Sequence, residues 1–317
     1  MDFQVTEEQG ALVAALQDIL ADHAELPHSD RLRSHCFDWK LQQLLEENGY
    51  TSAGREIGPL EAALIVMEVA KLPAVVELGA SALVAPKLLR ESEVPTPIAL
   101  LCGRDLSLAQ RNLPVARTAL IDLGDDAAVM PIEAANVTPV ESVLAYPYGR
   151  FKRVPDVSKA RRLPGQGALL RQWWRVALTA EFTGAAQAAI AYTLNHVKQR
   201  HVFGHPVGMF QAVQHRLVQC HIAVCGVRDL VLQAAWSGSP YDADVAACHA
   251  QQHTRKLLVD LHQFTGAMGV TNEFLLHFWT YRLRALQHEA GGTVAAALDI
   301  ARHRWQVQPS PASAEAT

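Results

Sequence analysis

The stretch "RHVFGHPVGMFQAVQH", residues 200–215, holds the most chemically suggestive spacing in the chain. Arg200 closes one helical run, Gly204 and Pro206 break it, and Phe210 opens another, so Arg200 and Gln211 flank a corner. A guanidinium is a permanently charged forked donor, and a carboxamide both donates and accepts; across a corner the two could grip a ligand. In "HQFTGAMGVTNEFLL", Gly266 and Gly269 end a helix, and glycines there let backbone approach a ligand and present its amides. Two carboxylates are candidates for acid–base work: Glu289 in "YRLRALQHEAGGT" and Glu181 in "LTAEFTG", on the long helix after Trp174. Glu181 reads more simply as a solvated or capping carboxylate, and Trp173 and Trp174 as core aromatics as readily as pocket lining. His249 and His253 have the i,i+4 spacing that zinc sites use, and His215, Cys220, His221 and Cys225 share one helix. No acidic residue or third ligand follows at a metal spacing, so packing or surface roles are expected and no metal site.

These residues need elements to hold them. The chain has 317 residues, half of them apolar and 19% charged, enough for a sizeable core. A net charge of −4 gives no global attraction to nucleic acid or anionic membrane. The five cysteines form no CxxC pair, which suits a reducing cytoplasm. The start "MDFQVTEEQG" lacks the pattern of a signal peptide, and no apolar run matches a membrane span.

Residues 1–92 read as a helical domain. Thr6 and Gln9 form a capping-box pattern, "FDWKLQQLLEENGY" ends at Gly49, and two more apolar helices follow. Residues 93–155 break into short apolar runs separated by Pro, Gly, Asp and Asn, a reduced β-domain. "RFKRVPDVSKARRLPGQG" reads as a solvated basic connector. Residues 156–306 form a helical bundle, in which Ser239-Pro240-Tyr241-Asp242 opens one helix, Asn272 begins a shorter run and Thr293 starts the last; 307–317 read as a disordered tail.

With these elements in place, the chain resembles the acyl-CoA dehydrogenase family. The corner matches the pattern R-x-x-F-G-x-x-[IV]-x-x-F-Q-x-[VL]-Q-H at Arg200, Phe203, Gly204, Val207, Phe210, Gln211, Gln214 and His215. "HQFTGAMGVTNEFLL" resembles a Q-x-x-G-G-x-G segment with Ala267 in place of one glycine, and "WKLQQLLEENGY" is similar to a W-x-x-L-x-E-x-G-[WY] run. The resemblance implies a mainly α fold: an N-terminal helical domain, a middle β-domain and a C-terminal four-helix bundle. It also implies FAD shared across a subunit interface. Arg200, Phe203, Gln211, Gln263, Gly266 and Gly269 would hold the adenosine and pyrophosphate end of the neighbouring subunit's flavin.

The chain departs from that family where the chemistry is done. Aligned from Arg282, Gly291 takes the place of the catalytic glutamate, with Glu289 two residues earlier. At a second family location for the base stands Trp174, before Arg175. The [YC]-x-[TS]-E-P-x-x-G-S-D stretch that meets the flavin ring is missing between Glu93 and Pro155. What remains resembles the short degenerate subunits of α2β2 acyl-CoA dehydrogenases of bacterial steroid degradation. That likeness implies a full-length dehydrogenase subunit as partner, a bulky steroid side-chain or ring-derived acyl-CoA as substrate and an electron-transfer flavoprotein as acceptor. Two alternatives stand beside it: a self-sufficient homo-oligomeric dehydrogenase using Glu289 or Glu181 as base, and a flavin-free helical scaffold.

Overall fold

The computed structural model describes residues 3–90 and 92–305, so the tail 307–317 lies outside the described residues. Helix α1 (Glu7–Ala21) starts at the expected capping box: Gln9 N–H donates to the Thr6 hydroxyl at 3.3 Å and Thr6 N–H to Gln9 Oε1 at 3.1 Å. After the short α2 (His28–Arg31), Asp38 caps α3 (Trp39–Glu47), and Gly49 ends it with φ of 76°. Then come α4 (Ala53–Glu56) and α5 (Pro59–Val69), whose Ala62, Ile65 and Val66 are buried in the main core. The second apolar helix expected here is a π-helical turn, Ala80–Val84, running into α6 (Ala85–Leu88).

The β unit has two small sheets. In the first, β1 (Ile98–Cys102) pairs in parallel with β3 (Thr118–Asp122), which pairs antiparallel with β4 (Ala127–Pro131); in the second, β6 (Tyr148–Phe151) lies between β2 (Gln110–Arg111) and β5 (Val137–Val140). Leu101, Leu113, Ala119 and Ile121 give this unit a core separate from the main one. Its boundary differs from the expected 155. The basic connector supplies β7 (Arg161–Leu163), antiparallel to β4 with Arg161 opposite Val129. The open edge of β4 needs backbone partners, and main-chain pairing makes no demand for apolar side chains, so a run of arginines can serve.

The bundle therefore begins at α7 (Gly167–Gln199) and not at 156. A hairpin of β8 (His201–Val202) and β9 (His205–Pro206) leads into α8 (Gln211–Ser237), then α9 (Pro240–Thr265), α10 (Leu276–Leu286) and α11 (Gly292–Trp305). Three long helices and two shorter ones make up the bundle. The Ser239 hydroxyl accepts from Asp242 N–H at 3.4 Å, as the cap sequence requires, whereas α10 starts at Leu276, later than the expected Asn272. Buried Arg175 pairs with Asp244 and, at 2.8 Å, with Asp299, tying α7, α9 and α11 together. An 18-residue window of α8 reaches a mean hydropathy of 1.3, more apolar than the sequence reading allowed. Its Cys220, Val224, Val227 and Val231 point into the bundle core.

Glu77 joins the N-terminal helices to the β unit. Its carboxylate accepts from Ala80 N–H at 2.9 Å, Ser81 N–H at 3.2 Å, the Ser81 hydroxyl at 2.5 Å and Ile98 N–H at 2.8 Å. Burial raises its pKa from 4.5 to about 6 despite these donors. A carboxyl whose folded pKa lies above its ordinary value contributes most below about pH 4.5 and loses that contribution as pH rises through 6. The loss amounts to about 2 kcal/mol. Glu77→Gln cannot titrate, so the gap in urea stability between parent and variant should shift by that amount from pH 4.5 to neutrality. A gap that stays constant over that range contradicts the assignment.

Candidate functional site

Where the β unit meets the bundle, Arg111 of β2 reaches across to two carboxylates. Its Nη1 lies 2.7 Å from Glu181 Oε2 on α7; its Nη2 and Nε lie 2.9 and 2.5 Å from the two oxygens of Glu289, in the turn before α11. Tyr146 O–H donates to Glu181 at 3.0 Å, and Trp174 Nε1–H donates to Glu289 at 3.0 Å. The guanidinium also lies over the Tyr146 ring, 4.6 Å from its centroid. The three charged side chains are only 10–14% exposed. Gly79 makes room for this arrangement: a Cβ there would stand 2.5 Å from Glu181 Oε1.

The electrostatics follow from the geometry. Burial works against the charge on Arg111, but Glu181 and Glu289 more than offset it and hold its pKa well above the ordinary value. Burial, then the Glu181 charge, pushes the Tyr146 phenol well up, and burial with the Glu289 charge raises Tyr148. The adjoining cavity, lined by Leu78, Gly79, Tyr146, Glu181 and Arg282, measures about 20 Å³, space for a water and no more. Both carboxylates are engaged with one cation, and no room for a substrate lies between them. The expectation of a solvated or capping Glu181 is thus corrected: α7 turns it inward, and Arg111 makes it tolerable there. Trp174 is a core aromatic, and it is also the donor that orients Glu289. Nothing local in the sequence marks Arg111 or Tyr146, and both were missed.

The corner is built differently. Arg200 is the C-cap of α7, its carbonyl accepting from Val207 N–H at 2.7 Å, and its side chain is exposed. Phe203 sits at φ of 54° and is 89% exposed, a left-handed conformation uncommon outside glycine that throws its ring into solvent. Gln211 is the first residue of α8, also exposed, while Gln214 folds back to donate to the Gly208 carbonyl at 2.8 Å. Gln263 lies exposed in the last turn of α9, which Gly266 ends at φ of 60°; Gly269 is buried beneath. Because α8 and α9 run antiparallel, the start of one adjoins the end of the other. Arg216 Nε donates to Asp260 at 3.1 Å across that junction. The two predicted groups therefore occupy one end of the bundle. Among the described residues no hydrogen bond or ion pair joins Arg200 or Gln211 to Gln263, so the chain presents two separate arms rather than a closed pocket.

No group of three or more His, Cys, Asp or Glu side chains able to hold a metal occurs among the described residues. The His249 and His253 rings lie against each other at a tilt of 49°, with centroids 4.3 Å apart.

Residues 171–304 match the model of the acyl-CoA dehydrogenase C-terminal domain. The bundle thus resembles that family's C-terminal domain, and the chain as a whole has the acyl-CoA dehydrogenase fold. Among relatives, it is similar to acyl-CoA dehydrogenase IpdE2 of Mycobacterium tuberculosis, 29% identical over 107 residues, 34% of each chain. It also resembles an L-prolyl-[peptidyl-carrier protein] dehydrogenase of Pseudomonas fluorescens, 34% identical over 101 residues, 30% of this chain and 26% of that one. These matches span about a third or less of the relatives' length. Among solved structures, the ChsE4–ChsE5 complex of Mycobacterium tuberculosis superposes with a TM-score of 0.78 at 21% identity, over 98% of this chain and 100% of that one. Butyryl-CoA dehydrogenase of Megasphaera elsdenii gives 0.74 at 18% identity, over 96% and 99%.

Proposed function

We propose that this chain is a subunit of a heteromeric FAD-dependent acyl-CoA dehydrogenase, completing the flavin site of a full-length partner subunit and supplying no catalytic base. One contrast supports this reading: Arg200, Phe203 and Gln211 face solvent, while Trp174 and Gly291, where the resemblance puts a base, hold no carboxylate, and nearby Glu181 and Glu289 are both engaged by Arg111. The space beside the cluster, about 20 Å³, does not fit an isoalloxazine ring. The corner does fit the other end of FAD in an adjacent subunit: Arg200 offers a forked cation for pyrophosphate, and Gln211 offers donor and acceptor atoms for an adenosine edge. When bound, FAD would accept the hydride removed from the acyl chain.

The surface around the corner supports a protein partner. Phe203, Met209 and Phe210 are exposed at this end, and α8 turns Val218 and Ile222 outward at 54% and 63% exposure. A monomer gains nothing from such an apolar face, whereas an interface would cover it. A bulky, steroid-derived acyl-CoA as substrate and an α2β2 assembly extend the same reading by likeness to the short-subunit branch. An electron-transfer flavoprotein is the proposed acceptor.

The test is co-expression. The chain purified alone should be colourless and inactive; with its partner, it should yield a yellow complex that dehydrogenates acyl-CoA. FAD bound by the chain alone, with α,β-dehydrogenation, would overturn the proposal in favour of a self-sufficient enzyme. A colourless complex would favour a flavin-free scaffold.

A further inference from the structure

A cavity lies at the N-terminal end of α7, where the helix meets β7, the end of α6 and the segment that follows it. It measures about 480 Å³, within the range of small-molecule sites. Leu88, Leu89, Leu163 and Leu169 give it an apolar lining, and Lys87, Arg90 and Arg161 also border it. No carboxylate among the described residues lies within ion-pair distance of these three cations. Lys87 instead sits over the Trp173 ring, 4.7 Å from its centroid, and Arg161 donates to the Ser92 hydroxyl at 3.2 Å. Burial and the neighbouring Arg90 charge both lower the Lys87 pKa, so these two cations repel each other beside a partly desolvated space. Gln166, also in the lining, has a buried Oε1 without a hydrogen-bond partner.

From this arrangement we infer a second ligand site, for an amphiphilic anion: a carboxylate or phosphate head held by Lys87, Arg90 and Arg161, with its apolar body against the leucines. Cations bordering an apolar cavity favour an amphiphilic anion, because each can gain a charge-assisted hydrogen bond to its head. An acceptor left unsatisfied at Gln166 suits a ligand that also carries a hydroxyl or amide donor. A purely apolar ligand would leave the cations unpaired, and a bare inorganic anion would leave the leucine surface wet. The site is independent of the flavin corner, so its test does not depend on that reading.

The test uses the full chain and four probes: dodecanoate below its micellar concentration, dodecyl phosphate, dodecanol and inorganic phosphate. Calorimetry, with the fluorescence of nearby tryptophans including Trp173 as a second readout, should show one-to-one binding of one or both amphiphilic anions. Whichever head binds more tightly separates carboxylate from phosphate ligands. Dodecanol and inorganic phosphate should each bind at least roughly tenfold more weakly, since each lacks one half of the recognition. Arg90 and Arg161 are exposed, so Arg90→Gln and Arg161→Gln should fold as the parent does and each weaken anion binding roughly tenfold. Equal affinity for dodecanol and dodecanoate, or anion binding untouched by both variants, would show non-specific hydrophobic uptake and end the proposal. So would failure of both anionic amphiphiles to bind.

Discussion

Arg111→Met lowers the stability of the chain by roughly 3–5 kcal/mol, the cost of stripping a buried ion pair of one partner. Glu181 and Glu289 then remain, 14% and 13% exposed, with only a tyrosine and a tryptophan donor between them. With the cation gone, two carboxylates are left close together in a largely buried place without the counter-charge of Arg111. Neutralising the carboxylates should rescue it: Arg111→Met with Glu181→Gln and Glu289→Gln should regain most of the loss, because uncharged groups of similar shape no longer need a cation. Denaturant melts of the parent, single and triple variants at neutral pH decide this. A single variant within 1 kcal/mol of the parent would mean that the cluster is solvated enough to matter little.

The second large effect belongs to the assembled complex. Arg200→Ala should weaken FAD binding by the complex roughly 10- to 100-fold, the usual loss for a charge-assisted contact to phosphate. The melting temperature of the isolated chain should not move, since the side chain is exposed and only its backbone is used in the corner. Arg200→Lys should fall between, keeping the charge and losing the fork. Fluorescence titration of apo-complex with FAD reads the difference. Parent-like affinity in Arg200→Ala would remove the corner from the flavin site.

Both effects depend on residues of very different visibility in the sequence. The corner is one continuous stretch in which glycine, proline and the helix ends all act locally, so spacing alone exposed it. The same holds for Thr6 with Gln9 and for Ser239 with Asp242, where cap and partner are three residues apart. Arg111 is the opposite case. Its partners are 70 and 178 residues away, and each of the three side chains looks like an ordinary surface charge until the chain folds. Strand β7 was hidden for a related reason: it contributes backbone to β4, and its "RRL" sequence advertises solvent. Composition reports side chains, while an edge strand is selected by main-chain pairing, so nothing in the composition around residues 155 and 156 announces β7. Phe203 had been read as part of a pattern, yet its positive φ and full exposure are properties of the turn that no pattern expresses.

Glu77 and Arg111 share a consequence for how the molecule opens. The β unit has a core of its own and could behave as a separate cooperative block, unfolding while the helices stay intact. Glu77 fastens its first strand to the N-terminal helices through Ile98, and Arg111 fastens its second to α7 and to the turn before α11. Opening the β unit must therefore expose a buried carboxylate on one side and break a buried ion cluster on the other. Those costs raise the free energy of the partly open state toward that of global unfolding. Together with Leu100, Leu120 and Val129, which the sheet buries in the main core, these two bolts make one cooperative body out of two cores.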